Sequence, residues 1–217
     1  MEKRYWTPTE YDDVIRKIHF GTPDGERFPE FRNPETAPVI KKLVDHQNFL
    51  VILSDDQLGI NHRSEVADEF FKEYRDLVDA YYLTDRQDKF VYGMELIEIL
   101  KFGLDLQLYY FEIGNTNIIK SADDPENADI QRTIRSNENA IVGNFNQYLD
   151  LVNKETSLND EELSAFAEGI DVYFPKLFEK YPEANFEKTR NKAELMLKKA
   201  KNESVTASLK KILNQLP

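Results

Sequence analysis

Residues 98–113 read EILKFGLDLQLYYFEI, a stretch that fits either of two secondary structures. Hydrophobic and polar residues alternate from Leu100 to Leu108, which is typical of a half-buried β-strand. The alternation ends at the run YYF (109–111), however, and the segment has few of the β-branched residues that strands favour. With a helical period, the polar residues instead collect in a narrow stripe and nearly all others are apolar. We therefore predict a long, mostly buried helix over about 85–113.

Helical periodicity extends through the rest of the chain. The predicted fold is therefore all-α, a single compact domain (1–217) of about seven to nine helices around the long central helix. A capping box starts a first helix, 8–19, and a proline-rich irregular connection, 21–37, follows it. The short apolar run FLVIL (49–53) fits a buried strand as well as a helix, and both alternatives stay open. A C-cap signal at Gly114 is expected to end the central helix.

Two sequence features bear on how the helices pack. Gly93, Gly103 and Gln107 lie on a separate side of the central helix, where small residues would let a neighbouring helix approach closely. Pro175 lies within a later helix that Asn159 caps. Because proline removes a backbone hydrogen bond, it predicts a kink or a break in that helix.

The composition is that of an ordered globular protein, with 217 residues, 41% of them hydrophobic, and no cysteine. The lack of cysteine excludes a disulfide framework, a thiolate metal site and a cysteine nucleophile. The N-terminal stretch MEKRYWTPTEYDDV has no apolar segment of the signal-peptide type. No apolar run approaches the ~20 residues that a membrane-spanning helix needs. We predict a cytoplasmic protein without membrane association.

The formal net charge of −12 is distributed unevenly along the chain. Residues 1–175 carry 35 acidic and 18 basic side chains, whereas residues 176–217 carry 5 acidic and 10 basic ones and should form basic C-terminal helices. The acidic excess argues against a nucleic-acid partner, because phosphate binding depends on Lys and Arg. It indicates either a solvated surface or a face that meets a basic partner.

Eight carboxylates form the predicted partner-binding face. They are Asp55, Asp56, Glu65, Asp68, Glu69, Glu73, Asp76 and Asp79. Most of them lie opposite the apolar side of a helix predicted over 64–82. Such a face would accelerate association with a basic protein by charge complementarity, and aromatic side chains among the carboxylates would supply affinity.

Three further carboxylates, Glu98, Asp105 and Glu112, are spaced seven residues apart on the central helix. They could line a cleft, act as acid and base, or hold a divalent cation. Neighbouring members are about 10 Å apart along the helix, which is too far for one metal ion and at the wide limit for a paired-carboxylate hydrolase. The solvent edge of the helix is therefore the simpler explanation.

Motifs that would identify an activity are missing from the sequence. No HExxH or Glu-x-x-His pattern accompanies the three histidines, and the oxygen-rich loop ADDPENAD (122–129) lacks the order of a calcium loop. There is no phosphate-binding glycine loop and no GxSxG elbow. We predict no catalytic residue, no metal site and no cofactor.

Three functions fit these observations. The first is a non-enzymatic acidic protein-binding module, in its most specific form an inhibitor that neutralises a basic partner such as a toxin. In this character the chain resembles small bacterial immunity proteins. The second is an enzyme or small-ligand-binding protein that uses the carboxylates of the central helix, and the third is an oligomeric structural subunit. The binding function accounts for both the acidity and the missing motifs.

Overall fold

The structure is a computed structural model. It describes Thr9, Asp13 and residues 28–88, 92–154 and 158–216, apart from the side chains of 83–88 and 153–154. All regular secondary structure in these residues is helical, which confirms the predicted all-α class. The predicted first helix, 8–19, lies outside the described residues except at Thr9 and Asp13, and both of these are helical.

The chain divides into two compact units, Met1–Ser121 and Ala122–Pro217, and each is described by itself. That the chain forms one domain stays a prediction. In the first unit, residues 28–36 are irregular, with turns at 31–32 and 34–36, as expected for the end of the irregular connection. Four helices follow, α1 (Ala37–Leu43), α2 (Gln47–Leu53), α3 (Ile60–Asp88) and α4 (Gly93–Ser121). The run FLVIL lies within α2, so the helical alternative is correct.

Helix α4 is the predicted central helix, and most of its residues are buried. Its boundaries differ from the prediction at both ends. Helix α3 continues to Asp88, beyond the expected start at 85, and α4 continues through Gly114 to Ser121. Because Asn115 is buried, tertiary packing there outweighs the local C-cap signal.

The core of the first unit is rich in aromatic rings, and two tyrosine hydroxyls hold the segment before α1. The Tyr81 hydroxyl donates to the Pro29 carbonyl over 2.8 Å, and the Tyr92 hydroxyl accepts from the Phe28 N–H over 3.1 Å. Burial raises the pKa of Tyr81, so this phenol stays protonated. Helices α3 and α4 pack closely at Gly103, one of the three positions on the side where the sequence predicts close approach.

The second unit begins with a long helix and ends with two basic ones. Its elements are α5 (Ala128–Asp150), a 3-10 turn (Leu151–Lys154), α6 (Asp160–Lys180), α7 (Glu187–Leu197) and α8 (Glu203–Gln215). Asn159 and Glu162 form a capping box at the start of α6. The helix continues past Pro175 to Lys180, so no break occurs there. None of the helices in the described part of the chain has the length and apolarity needed to cross a membrane.

Candidate functional site

Five of the eight predicted partner-binding carboxylates form one exposed row on α3, which we call the acidic stripe. Its members are Glu65, Asp68, Glu69, Asp76 and Asp79. At 100° per residue they share an arc of about 100°, and at 1.5 Å per residue the row is about 21 Å long. Lys72 is the basic residue within the row, which leaves the stripe strongly negative.

The other three predicted residues have different surroundings. The Asp55 carboxylate accepts from the Gln57 N–H over 2.9 Å and so fixes the loop before α3. Asp56 forms an ion pair with Arg63, with 2.9 Å between Oδ1 and Nη1. Glu73 is buried, with only 6% of its surface exposed, and therefore does not belong to the acidic stripe. Glu73 lies about 80° from Glu65 around α3 and is therefore nearer to the apolar side of the helix.

Two partly exposed aromatic rings lie beside the acidic stripe. Phe71 and Tyr110 stack with 4.6 Å between ring centroids and 13° between planes. The Tyr110 hydroxyl lies 3.4 Å from Oδ1 of Asp68, a member of the stripe. Burial and the Asp68 carboxylate raise the pKa of Tyr110 above its ordinary value, so the phenol stays a neutral donor.

The three carboxylates of α4 each have a different environment. Glu98 is partly exposed and pairs with Lys101, with 2.9 Å between Oε1 and Nζ. Asp105 is buried, whereas Glu112 is exposed. This helix therefore has no single edge that exposes all three side chains equally.

Asp105 instead pairs with His46, a contact that the sequence pattern does not predict. The Nδ1 atom of His46 lies 2.8 Å from Oδ2 of Asp105, and 30% of the His46 side chain is exposed. The rings of Phe49 and Phe102 pack against the imidazole. His46 and Asp105 are 59 residues apart, so no local spacing could have paired them.

Glu95 is a second buried carboxylate of α4, and it holds the backbone of the preceding turn. Its Oε1 accepts from the Phe31 N–H over 2.7 Å, while only 3% of the residue is exposed. Burial raises the pKa of Glu95, and the nearby Glu30 carboxylate adds to the rise, although hydrogen bonds from the backbone oppose it. Folding therefore makes the charged form of this side chain less favourable than it is in the unfolded chain.

At a pH above neutral, we expect Glu95→Gln to raise the melting temperature by a few degrees. The amide oxygen can still accept from Phe31, but the side chain no longer carries a desolvated charge. Since the folded-state pKa is raised, the cost of the wild-type carboxylate is absent below its unfolded pKa and grows as the pH rises through the folded pKa. The difference in melting temperature should therefore shrink towards pH 4. Glu112→Gln, which removes one exposed charge from the same helix, is the control, and an equal gain at both pH values would contradict this account.

The described residues contain no group of three or more His, Asp or Glu side chains arranged to hold a metal ion. The candidate sites are therefore the His46–Asp105 pair and the acidic stripe with the two rings beside it, Phe71 and Tyr110, which we call the aromatic border. No protein-family model matches this sequence, and the searches of curated proteins and of solved structures find no significant match.

Proposed function

We propose that this chain is a protein-binding module whose acidic stripe contacts a basic partner protein. The observation that carries the proposal is the row of five exposed carboxylates on one face of α3. Surface charges of one sign attract an oppositely charged protein during diffusion and raise its association rate. The stripe is about 21 Å long, and a patch of this length fits within the contact area of a specific interface, which is about 800 Å² per partner.

The aromatic border supplies a second element of such an interface. Carboxylates alone increase the association rate more than they increase affinity, because exposed ion pairs contribute little free energy. Partly exposed Tyr110 and Phe71 can lose further surface when a partner binds, and aromatic residues dominate the energetics of many interfaces. An arginine of the partner could contact Asp68 and the ring of Tyr110 at the same time.

The most specific form of this proposal is an inhibitor or immunity-type protein that neutralises a toxin directed at nucleic acid. Proteins that bind nucleic acid present basic surfaces to the phosphate backbone. An acidic stripe flanked by aromatic rings would cover such a surface and compete with the nucleic acid. The partner is thus expected to be basic and to lose nucleic-acid binding in the complex.

The experiment is a capture of partner proteins at low salt, followed by association kinetics with two charge-reversed variants. In the first variant Glu69, Asp76 and Asp79 become Lys; in the matched control the exposed Glu179, Glu183 and Glu194 of the second unit become Lys. Both variants change the net charge equally. We expect the association rate to fall at least about tenfold for the first variant only, with the difference shrinking at high salt.

Equal effects of the two variants would mean that net charge, rather than the acidic stripe, governs association. An unchanged rate for the first variant would remove the stripe from the interface. For a partner that binds as proposed, Tyr110→Ala should mainly raise the dissociation rate, because an anchor acts after the encounter.

The His46–Asp105 pair favours a second candidate function, an acid–base or ligand site on the first unit. A carboxylate that accepts from Nδ1–H fixes the tautomer and leaves Nε2 as an acceptor, as in many catalytic histidines. Asp105→Asn should change the tautomer populations of His46, read from its imidazole ¹⁵N shifts. If the shifts do not change, Asp105 does not orient this histidine, and the candidate function loses its support.

A further inference from the structure

The second unit contains a cleft where the end of α6, the start of α7 and the residue after α8 meet. Its volume is about 300 Å³, at the lower end of the range for small-molecule pockets. Its lining includes Phe178, Pro182, Phe186, Glu187, Arg190 and Leu216. None of them belongs to the acidic stripe or to the His46–Asp105 pair.

One wall of the cleft is aromatic and ordered by its neighbours. The rings of Phe178 and Phe186 are 5.5 Å apart at an angle of 60°, and Phe174 packs edge-on against Phe186 from the core. Phe186 is buried, whereas Phe178 is partly exposed. Rings held in this way offer a preformed surface for a flat apolar group of limited size.

A guanidinium group lies at the same cleft. Arg190 is partly buried, and its Nη2 donates to the Leu216 carbonyl over 2.7 Å, which fixes the side chain in place. Among the described residues, which end at Leu216, no carboxylate lies within ion-pair distance of Arg190. A guanidinium has five N–H donors, and its preferred acceptor is a carboxylate bound through two oxygens.

We propose that this cleft binds a small molecule that carries an aromatic or branched apolar group and a carboxylate. The apolar group lies against Phe178 and Phe186, and the carboxylate accepts from Arg190. Burial of the ring supplies affinity, and the single charged partner fixes orientation and selects anions over cations. Glu187 also lines the cleft, and its negative charge limits the affinity for the carboxylate.

The test is an NMR titration of the full chain with phenylacetate as the probe. For a ligand of about ten non-hydrogen atoms the dissociation constant should be about 1 mM. Phenylacetamide, which has the same shape without the charge, should bind at least about tenfold more weakly, as should phenethylamine. We expect the largest amide shifts in 183–190 and at Leu216. Equal binding of phenylacetamide, or shifts confined to other residues, would overturn the proposal.

One variant removes the positive charge of the cleft and another removes its negative charge, and the two should change the affinity in opposite directions. The test therefore does not depend on the folding of a single variant. Arg190→Gln should weaken phenylacetate binding at least about tenfold, whereas Glu187→Gln should strengthen it about twofold. Lys188→Gln, an exposed change on the same helix, is the control for net charge and should leave the affinity unchanged. The proposal fails if Glu187→Gln weakens binding or if Lys188→Gln matches the loss at Arg190.

Discussion

Gly103→Ala is expected to destabilise the folded protein by about 3 kcal/mol, because it adds a methyl group where two long helices meet. A Cβ atom at position 103 would lie 2.0 Å from Cζ of Tyr74 on α3. Tyr74 is buried, and its ring also contacts Phe71 and Phe102. Because a tyrosine ring is rigid and has no room to turn, α3 and α4 must move apart. Urea denaturation followed by circular dichroism measures the loss.

Gly114→Ala on the same helix is the matched control. Nothing lies within 4 Å of a Cβ atom built at Gly114. Alanine has the higher helix propensity, so this variant should gain about 0.5–1 kcal/mol. The same substitution should thus have opposite signs at two positions of α4, which separates the effect of packing from that of propensity.

Tyr74→Leu tests whether the Tyr74 ring is the cause. Alone it should cost about 2 kcal/mol, because it removes buried aromatic surface and leaves a cavity. Combined with Gly103→Ala, the two costs should not add, since the new methyl group occupies space that the ring has vacated. A coupling of at least about 1 kcal/mol is expected. Strict additivity would mean that the methyl group at 103 destabilises the protein by some route other than contact with Tyr74.

The sequence was sufficient for those parts of the fold that depend on local pattern. Helical periodicity identified α4 as a buried helix from the segment 98–113, against the competing strand. The same helical periodicity placed Gly103 on a side of the helix where a neighbouring helix approaches. The side chain that approaches is Tyr74 of α3. Five of the eight predicted partner-binding carboxylates are exposed on one face of α3, because one amphipathic helix sets their positions.

Features that depend on contacts between distant segments were not accessible from the sequence. The pairing of His46 with Asp105 joins residues 59 positions apart and has no spacing signature. The sequence pattern predicts an exposed Glu73, but the packing of α3 buries it. The C-terminal end of α4 lies beyond the C-cap signal at Gly114, because burial of Asn115 outweighs a local C-cap preference. No local sequence pattern marks Gly169 as a point of close helix contact, because its neighbour Tyr148 lies on another helix.

In the second unit, Gly169→Ala is expected to cost about 3 kcal/mol for a different reason. A Cβ atom there would lie 2.1 Å from the hydroxyl oxygen of Tyr148. That hydroxyl is buried and donates to the Phe166 carbonyl over 2.9 Å, and the Tyr148 ring stacks on Phe166 at 4.8 Å. The added methyl group must therefore displace a hydroxyl that is already bonded, so the variant loses a buried hydrogen bond as well as close packing.

Tyr148→Phe separates these two contributions. Alone, it should cost about 1 kcal/mol, the usual value of one buried hydrogen bond. In its presence Gly169→Ala should cost about half as much, because the nearest atom is gone and Cζ, at 2.7 Å, is the next one that the methyl group meets. Gly143→Ala on α5, where nothing lies within 4 Å of the added carbon, is the control and should be mildly stabilising.

If Gly169→Ala costs the same in the Tyr148→Phe variant as in the wild-type chain, the hydroxyl is not the group that requires glycine at 169. If Gly169→Ala changes the free energy of unfolding no more unfavourably than Gly143→Ala does, α6 can move away from Tyr148 without loss. The close approach would then contribute little to the stability of this unit.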